Sequence, residues 1–401
     1  PNSRLTIMAS YSALLNVPVE LVEPPPPILY GQRMAEGTML DALNGTTTTA
    51  ELCSIYETYT AVRFVYIVVA GLMSIAGVVF NILLMVLFAN RSCATTPPTL
   101  YPSALALLDT VICACYLLLF GMDAIISYMR IESLFLLYYW YLIPAYTLAR
   151  IAQLSIPYML IFATLERLVW ISERRKNNML RRVYSREGRY ACVAVTLLVC
   201  VAVRLPTFIA IKVREYPFCP DFFRSLTTEP TEWAEQSEWY YIFDFHILTV
   251  SQTFVPFFVL VIFNVIIVRK LRAVSADYRD PATTLEVAPL QHVIKPRSTH
   301  SQVRSAILTM VAIVASYLIC NSLQLVLTLL EKSDSELLRD RDDPEKSSMF
   351  HTTFSDLISF VYMFTSAIRL FIYAGCNTEI RKDLKAMLEP SGRKATTLSR
   401  V

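Results

Sequence analysis

Residues 64–89 read FVYIVVAGLMSIAGVVFNILLMVLFA, twenty-six positions without a charge. A helix needs about 20 mostly apolar residues to cross the hydrocarbon core of a bilayer, so this stretch reads as a membrane span. Six more runs of the same kind follow, at roughly 104–127, 135–170, 190–211, 240–268, 305–330 and 354–376. The composition agrees. Of the 401 residues, 55% are apolar and 17% charged, where soluble domains carry about 25% charge. A soluble chain this apolar would expose large sticky patches. Nine cysteines are too sparse for a disulfide scaffold. The expectation is an all-α, multi-pass membrane protein built as a seven-transmembrane helix bundle. No internal repeat is visible, which weighs against a transporter made of inverted halves.

Seven spans put the termini on opposite sides, and charge chooses the sides. With the N-terminus outside, the inner segments hold 21 Lys and Arg and the outer segments 11, as the positive-inside rule requires. The run SERRKNNMLRRVYSREGR after the third span is the densest; it reads either as a contact for anionic lipid or a cytoplasmic protein, or as a topology signal alone. Acids are reversed, 20 outside against 8 inside, which leaves the outer face negative. The expected organisation is an extracellular tail over 1–60, a seven-helix domain over 61–376, and a cytoplasmic eighth helix and tail over 377–401. Asn44 heads a glycosylation sequon in the outer tail, whereas the sequon at Asn90 falls inside and should be silent. The chain starts at Pro1, which reads as a fragment or a processed form, and residues 1–30 lack a signal-peptide core.

Ionisable groups inside spans are costly, about 2.5–3.5 kcal/mol each on the translocon scale, and default to function. They are Asp109, Arg150, Glu166, Arg167, Arg204 and Arg369, with the amide of Asn81 in the first span. Arg204, just before Pro206, is expected to snorkel to the outer interface. Asp109 cannot, since it begins about five residues, or 7–8 Å, inside its span.

In order and spacing these residues resemble the rhodopsin-like class of G-protein-coupled receptors, over about residues 61–388. Asn81 in GVVFN is similar to the class's first-helix Asn, and Asp109 in LALLD to its second-helix Asp. Glu166-Arg167 in ATLERLVWI resembles the acid-Arg motif ending the third helix. Pro256 in FVPFFVLVIFN resembles the fifth-helix Pro, and Tyr373 in SAIRLFIYAGCN the last Tyr of the seventh-helix motif. Ile380 and Arg381 stand where a short amphipathic eighth helix begins. The style of the helices resembles divergent nematode and invertebrate neuropeptide (FMRFamide-type) and orphan receptors. The resemblance implies a plasma-membrane receptor with an extracellular ligand, a heterotrimeric G protein and arrestin as partners, membrane lipids around it, and no cofactor. It implies activation switches at Glu166, Arg167, Pro256, Asn321 and Tyr373.

The departures are specific. The third-helix Cys is missing, the fourth-helix Trp is missing, Cys-Trp-x-Pro in the sixth helix reads Cys320-Asn321-Ser322-Leu323, and Asn-Pro in the seventh reads Arg369-Leu370. Proline bends a helix by removing a hydrogen bond, so two activation-linked bends lose their usual cause. A divergent receptor without efficient G-protein signalling is therefore an alternative.

Arg369 stands where the class has an Asn facing the second-helix Asp across a pocket that can hold sodium. Two isolated charges at this depth are expensive, so an Asp109–Arg369 pair is expected, joined by Asn81 in one polar network. In the third span the aminergic Asp position reads Ala149, which disfavours a monoamine. Arg150 beside it would meet either an anionic ligand group or a helix carboxylate, with Gln153 one turn on. Asp123, Asp244 and Glu331 at outer span ends are the acids expected to receive a cationic peptide, beside Tyr138, Tyr139, Trp140 and Tyr141. The outer segments hold two cysteines, Cys53 and Cys219, which are expected to pair. The four His are scattered, so no metal site is expected. No phosphate loop or nucleophile motif suggests an enzyme, and nothing reads as a nucleic-acid surface. The competing class is a seven-helix transporter or channel-like protein, which predicts a polar midplane path. A retinal photoreceptor would need a seventh-span Lys, and none is there.

Overall fold

Seven helical spans and one short helix follow the apolar runs. The computed structural model describes residues 61–90, 99–171, 182–277, 297–333, 336–338 and 348–388. The spans are α1 (Ala61–Asn90), α2 (Leu100–Met129), α3 (Glu132–Ile171), α4 (Arg186–Ile209), α5 (Glu238–Lys270), α6 (Arg297–Lys332) and α7, in two pieces, Met349–Ala367 and Arg369–Cys376. Six are each long and apolar enough to cross a bilayer, and the bent pair of α7 makes the seventh. α8 (Thr378–Leu388) follows at once. Asn377 caps it, its Oδ1 accepting from the amides of Glu379 and Ile380. Ile380 and Leu384, one turn apart, face the bundle.

Among the described residues the fold departs from all-α in one place. Between α4 and α5 lie two antiparallel strands, β1 (Ile211–Glu215) and β2 (Leu226–Pro230), pairing Ile211 with Pro230 and Glu215 with Leu226. The alternation in IKVRE and the β-branched Thr227 and Thr228 favour strand, and Pro230 sits at a strand end, where its missing amide costs no ladder bond. The hairpin marks one end of the bundle and α8 the other.

The hairpin is held against the junction of α2 and α3. Arg130, between α2 and α3, adopts a left-handed conformation (φ 50°) and closes α2 with its amide on Ile126 O. This aims its guanidinium at the hairpin turn, 2.5 Å from Asp221 Oδ1 and 4.8 Å over the Phe223 ring. Phe135 of α3 packs on Phe222 and Phe223. The ion pair is exposed, so aromatic packing contributes most of this anchor.

Core packing divides the bundle into layers. One apolar cluster, including Phe120, Phe135, Leu142 and Met363, fills the hairpin half. A second, including Leu105, Met159, Leu260, Ile313 and Leu370, fills the α8 half. Buried Ser74, Asn81, Asp109 and Arg369 lie where the clusters meet. α1 reaches this layer by close approach. A Cβ on Gly77 would lie 2.7 Å from Cys113 Sγ and 2.8 Å from Ala367 Cβ. The thiol can rotate away; the α7 backbone behind Ala367 cannot. Gly77→Val is expected to destabilise by about 1–3 kcal/mol through overpacking, read as a lower melting temperature of purified protein. Gly77→Ala should be milder, and adding Ala367→Gly should recover part of its loss. An unchanged melting temperature for Gly77→Val would contradict this packing.

The two bends whose proline is missing behave differently. α6 runs as one α-helix from Arg297 to Lys332. α7 bends by 42° without any proline. Ile368 stands at the break with near-zero ψ (φ −80°, ψ −2°), and Asn81 Nδ2 bonds the Ser366 carbonyl at 3.0 Å. A polar side chain inserted at the helix backbone is a recognised cause of a bend.

Candidate functional site

The centre of the polar layer is an ion pair. Asp109 of α2 is fully buried and Arg369, the first residue after the α7 break, is 2% exposed. Arg369 Nη1 lies 2.6 Å from Asp109 Oδ2. Neither carboxylate oxygen receives a well-aligned hydrogen bond, so the contact is chiefly one of charge. Asn81 Nδ2 spans Gly77 O of its own helix and Ser366 O of α7. Of the expected network, Asp109 and Arg369 are paired, while Asn81 bonds the α7 backbone at Ser366, three residues before Arg369.

One turn beyond Arg369, Tyr373 is buried edge-on against Phe88 of α1. At the α8 end of α3, Glu166 and Arg167 are buried, at 1% and 5% exposure. Glu166 Oε1 lies 3.6 Å from Arg189 Nε of α4, a partner sequence reading missed. Arg189 also donates to the Tyr184 and Ser185 carbonyls, so the acid is tied to the start of α4. Burial and the charge of Glu166 push the Tyr184 phenol, outside the spans, above its usual pKa.

Pro256 is buried just after a widened, π-type stretch of α5, Val250–Phe254. Proline and π turns free backbone carbonyls, and buried carbonyls need donors. The Ser251 carbonyl receives Tyr158 OH from α3, and the Thr253 carbonyl receives Asn321 Nδ2 from α6 at 3.5 Å. The same device recurs. Tyr138 and Tyr141 donate to Leu119 and Leu118 at the π-type turn of α2. Tyr362 of α7 donates to Gln153 O, which Pro157 leaves without its helical donor. Two tyrosines expected at a ligand mouth are thus spent on α2 carbonyls, and Trp140 is 80% exposed on the outside of the bundle.

Charges in the hairpin half are mostly paired. Arg204 does not snorkel. It is 2% exposed, its Nη1 3.6 Å from Asp244 Oδ1 and its Nη2 donating to Gln252 Oε1. The physical reason is the neighbour: α5 offers an acid and an amide at that level. Glu331 Oε1 lies 3.6 Å from Nε2 of the buried His351. Arg63 and Asp356 join α1 to α7 at 3.1 Å. Of the three acids expected to receive a cation, Asp244 and Glu331 have internal partners, and Asp123, half-buried near the end of α2, lies within electrostatic reach of Tyr139 and Tyr141. Arg150 Nη1 lies 3.5 Å from Gln153 Oε1 and its guanidinium 5.7 Å from the Tyr146 ring centre. Cys219 is disulfide-bonded. Cys53 and Asn44 lie outside the described residues.

No protein-family model matches the sequence, and no curated protein matches it. Among solved structures, the crystal structure of squid rhodopsin is similar over 83% of this chain and 82% of that one, with a TM-score of 0.56 and 12% identity. At that identity the likeness is one of fold.

Proposed function

We propose that this chain is a plasma-membrane G-protein-coupled receptor, with the hairpin end outside and α8 inside. The observation that carries the reading is the polar column in a rhodopsin fold. A buried pair at the α7 break, Tyr373 one turn on, and Glu166 and Arg167 at the α8 end connect the bundle centre to the end where a cytoplasmic partner would dock. Such a column can bias two packings of α7 against α2 and α3. The surplus of Lys and Arg at the α8 end supports the orientation. The test is G-protein activation in cells expressing the chain, screened with a neuropeptide library. A ligand-dependent response lost in Arg167→Ala supports the reading. A surface-expressed chain that activates no G protein with any peptide counts against it.

The finer reading is a peptide ligand with a cationic group at Asp123. Asp123→Asn should weaken an Arg-containing agonist far more than its citrulline analogue; equal losses would remove Asp123 from the site. Cys53 is the proposed partner of Cys219, since the six other described cysteines are free thiols and Cys93 belongs to the opposite end of α1. Such a bridge would draw the N-terminal tail over the hairpin. Mass spectrometry of non-reduced peptides should recover the Cys53–Cys219 pair, and a free thiol at Cys53 would end the assignment.

A further inference from the structure

The four histidines have no metal-ligating spacing in the sequence, yet the fold brings one of them to an acid. His351, in the first turn of α7, is 2% exposed, and its Nε2 has no hydrogen-bond partner among the described residues. Glu331, at the end of α6, holds Oε1 3.6 Å from that nitrogen, with its own side chain 9% exposed. Ser348 fixes the turn that carries the imidazole. Its Oγ accepts from the His351 amide and donates to the Leu337 carbonyl, and its amide donates to the Leu338 carbonyl. The start of α7 is thereby clamped to the short helical turn Glu336–Leu338. Leu337 of that turn is 62% exposed, so the two side chains lie just beneath the end of the bundle.

As a direct contact the pair is poor. An N–H···O bond spans about 2.7–3.2 Å, and 3.6 Å is too long for one. Without a proton on Nε2, a lone pair faces a carboxylate oxygen. Buried polar atoms seldom stay in either condition. A cation between the two donors removes both defects. Zinc binds an imidazole nitrogen at about 2.0–2.1 Å and a carboxylate oxygen at about 2.0–2.2 Å in tetrahedral geometry, which sets two such donors about 3.3–3.5 Å apart. The observed separation differs from this by about 0.1–0.3 Å, a small side-chain adjustment. The nitrogen donor favours zinc over magnesium or calcium, which take oxygen. We propose that His351 Nε2 and the Glu331 carboxylate hold a zinc ion that ties the end of α6 to the first turn of α7. Among the described residues no set of three His, Cys, Asp or Glu is grouped for a metal, so two waters complete the shell and the ion exchanges readily. It joins α6 to the piece of α7 that precedes the 42° bend, and so opposes sliding of one helix past the other. The site needs nothing from the receptor reading and stands or falls separately from it.

The experiment uses the purified full chain without a histidine tag, in nanodiscs stripped of metal with a chelator. Zinc chloride should raise the melting temperature by a few degrees, the chelator should reverse the rise, and magnesium chloride at the same concentration should give none. Glu331→Gln and His351→Asn should each abolish the zinc shift. His351→Cys should keep it, since a thiolate also ligates zinc. His246→Ala, which removes an exposed imidazole on α5, should keep it too. Equilibrium dialysis against radioactive zinc reads binding without unfolding, and Glu331→Gln should bind one ion fewer than the native chain. The proposal is overturned if zinc gives no shift, if magnesium matches it, if the shift survives in Glu331→Gln or in His351→Asn, or if it vanishes in His246→Ala.

Discussion

Removing one charge of the Asp109–Arg369 pair should cost the folded protein about 3–5 kcal/mol, the penalty of leaving the other buried without compensation. Asp109→Arg or Arg369→Asp alone should abolish surface expression, and the double exchange should recover part of it. The geometry motivates this expectation. The partners are 0% and 2% exposed and 2.6 Å apart, so little solvent screens either one. Net stabilisation by the intact pair is a different quantity and can be small, because both groups were desolvated to make it. Replacing both by apolar residues, Asp109→Leu with Arg369→Met, should therefore restore expression while losing whatever switching the pair provides. Under the receptor reading proposed above, a guanidinium already supplies the positive charge beside Asp109, so agonist binding should not respond to sodium. Normal expression of the single exchanges, or an affinity that shifts with sodium, would show that the pair does not carry this role.

The spans were legible because a bilayer demands long apolar runs, and residues 64–89 meet that demand with no other interpretation open. The Asp109–Arg369 contact was legible for a related reason: two charges at one depth have few other ways to be tolerated. Partners near span ends were harder. Glu166 with Arg189, Glu331 with His351 and Arg204 with Asp244 each join different helices, and the rotation of one helix against another leaves no mark in a single sequence. Arg204 looked able to reach water because Pro206 follows it; α5 supplied a nearer partner. The cause of the α7 bend was not legible. Proline is a local and visible cause, whereas Asn81 reaching Ser366 O is a contact 285 positions apart in the chain. The tyrosines that satisfy π-turn carbonyls in α2 and α5 were visible only as aromatic residues, since the π turns they serve have no reliable sequence signature.

The pair between α4 and α5 should respond asymmetrically to the loss of its two partners. Asp244→Asn removes the carboxylate that lies 3.6 Å from the buried Arg204, which is 2% exposed. That loss should reach about 3–5 kcal/mol, as for other broken buried pairs. Arg204→Met removes the more deeply buried charge and leaves Asp244, which is 9% exposed against 2% for Arg204, so its cost should be smaller and come mainly from the lost hydrogen bond to Gln252, about 1.5–3 kcal/mol for a bond to a charged group. The acid is thus the more sensitive member, although both are buried. Melting temperatures of the two purified variants decide the order. Equal losses would mean that local geometry at Arg204, and not the difference in burial between the two charges, governs stability here.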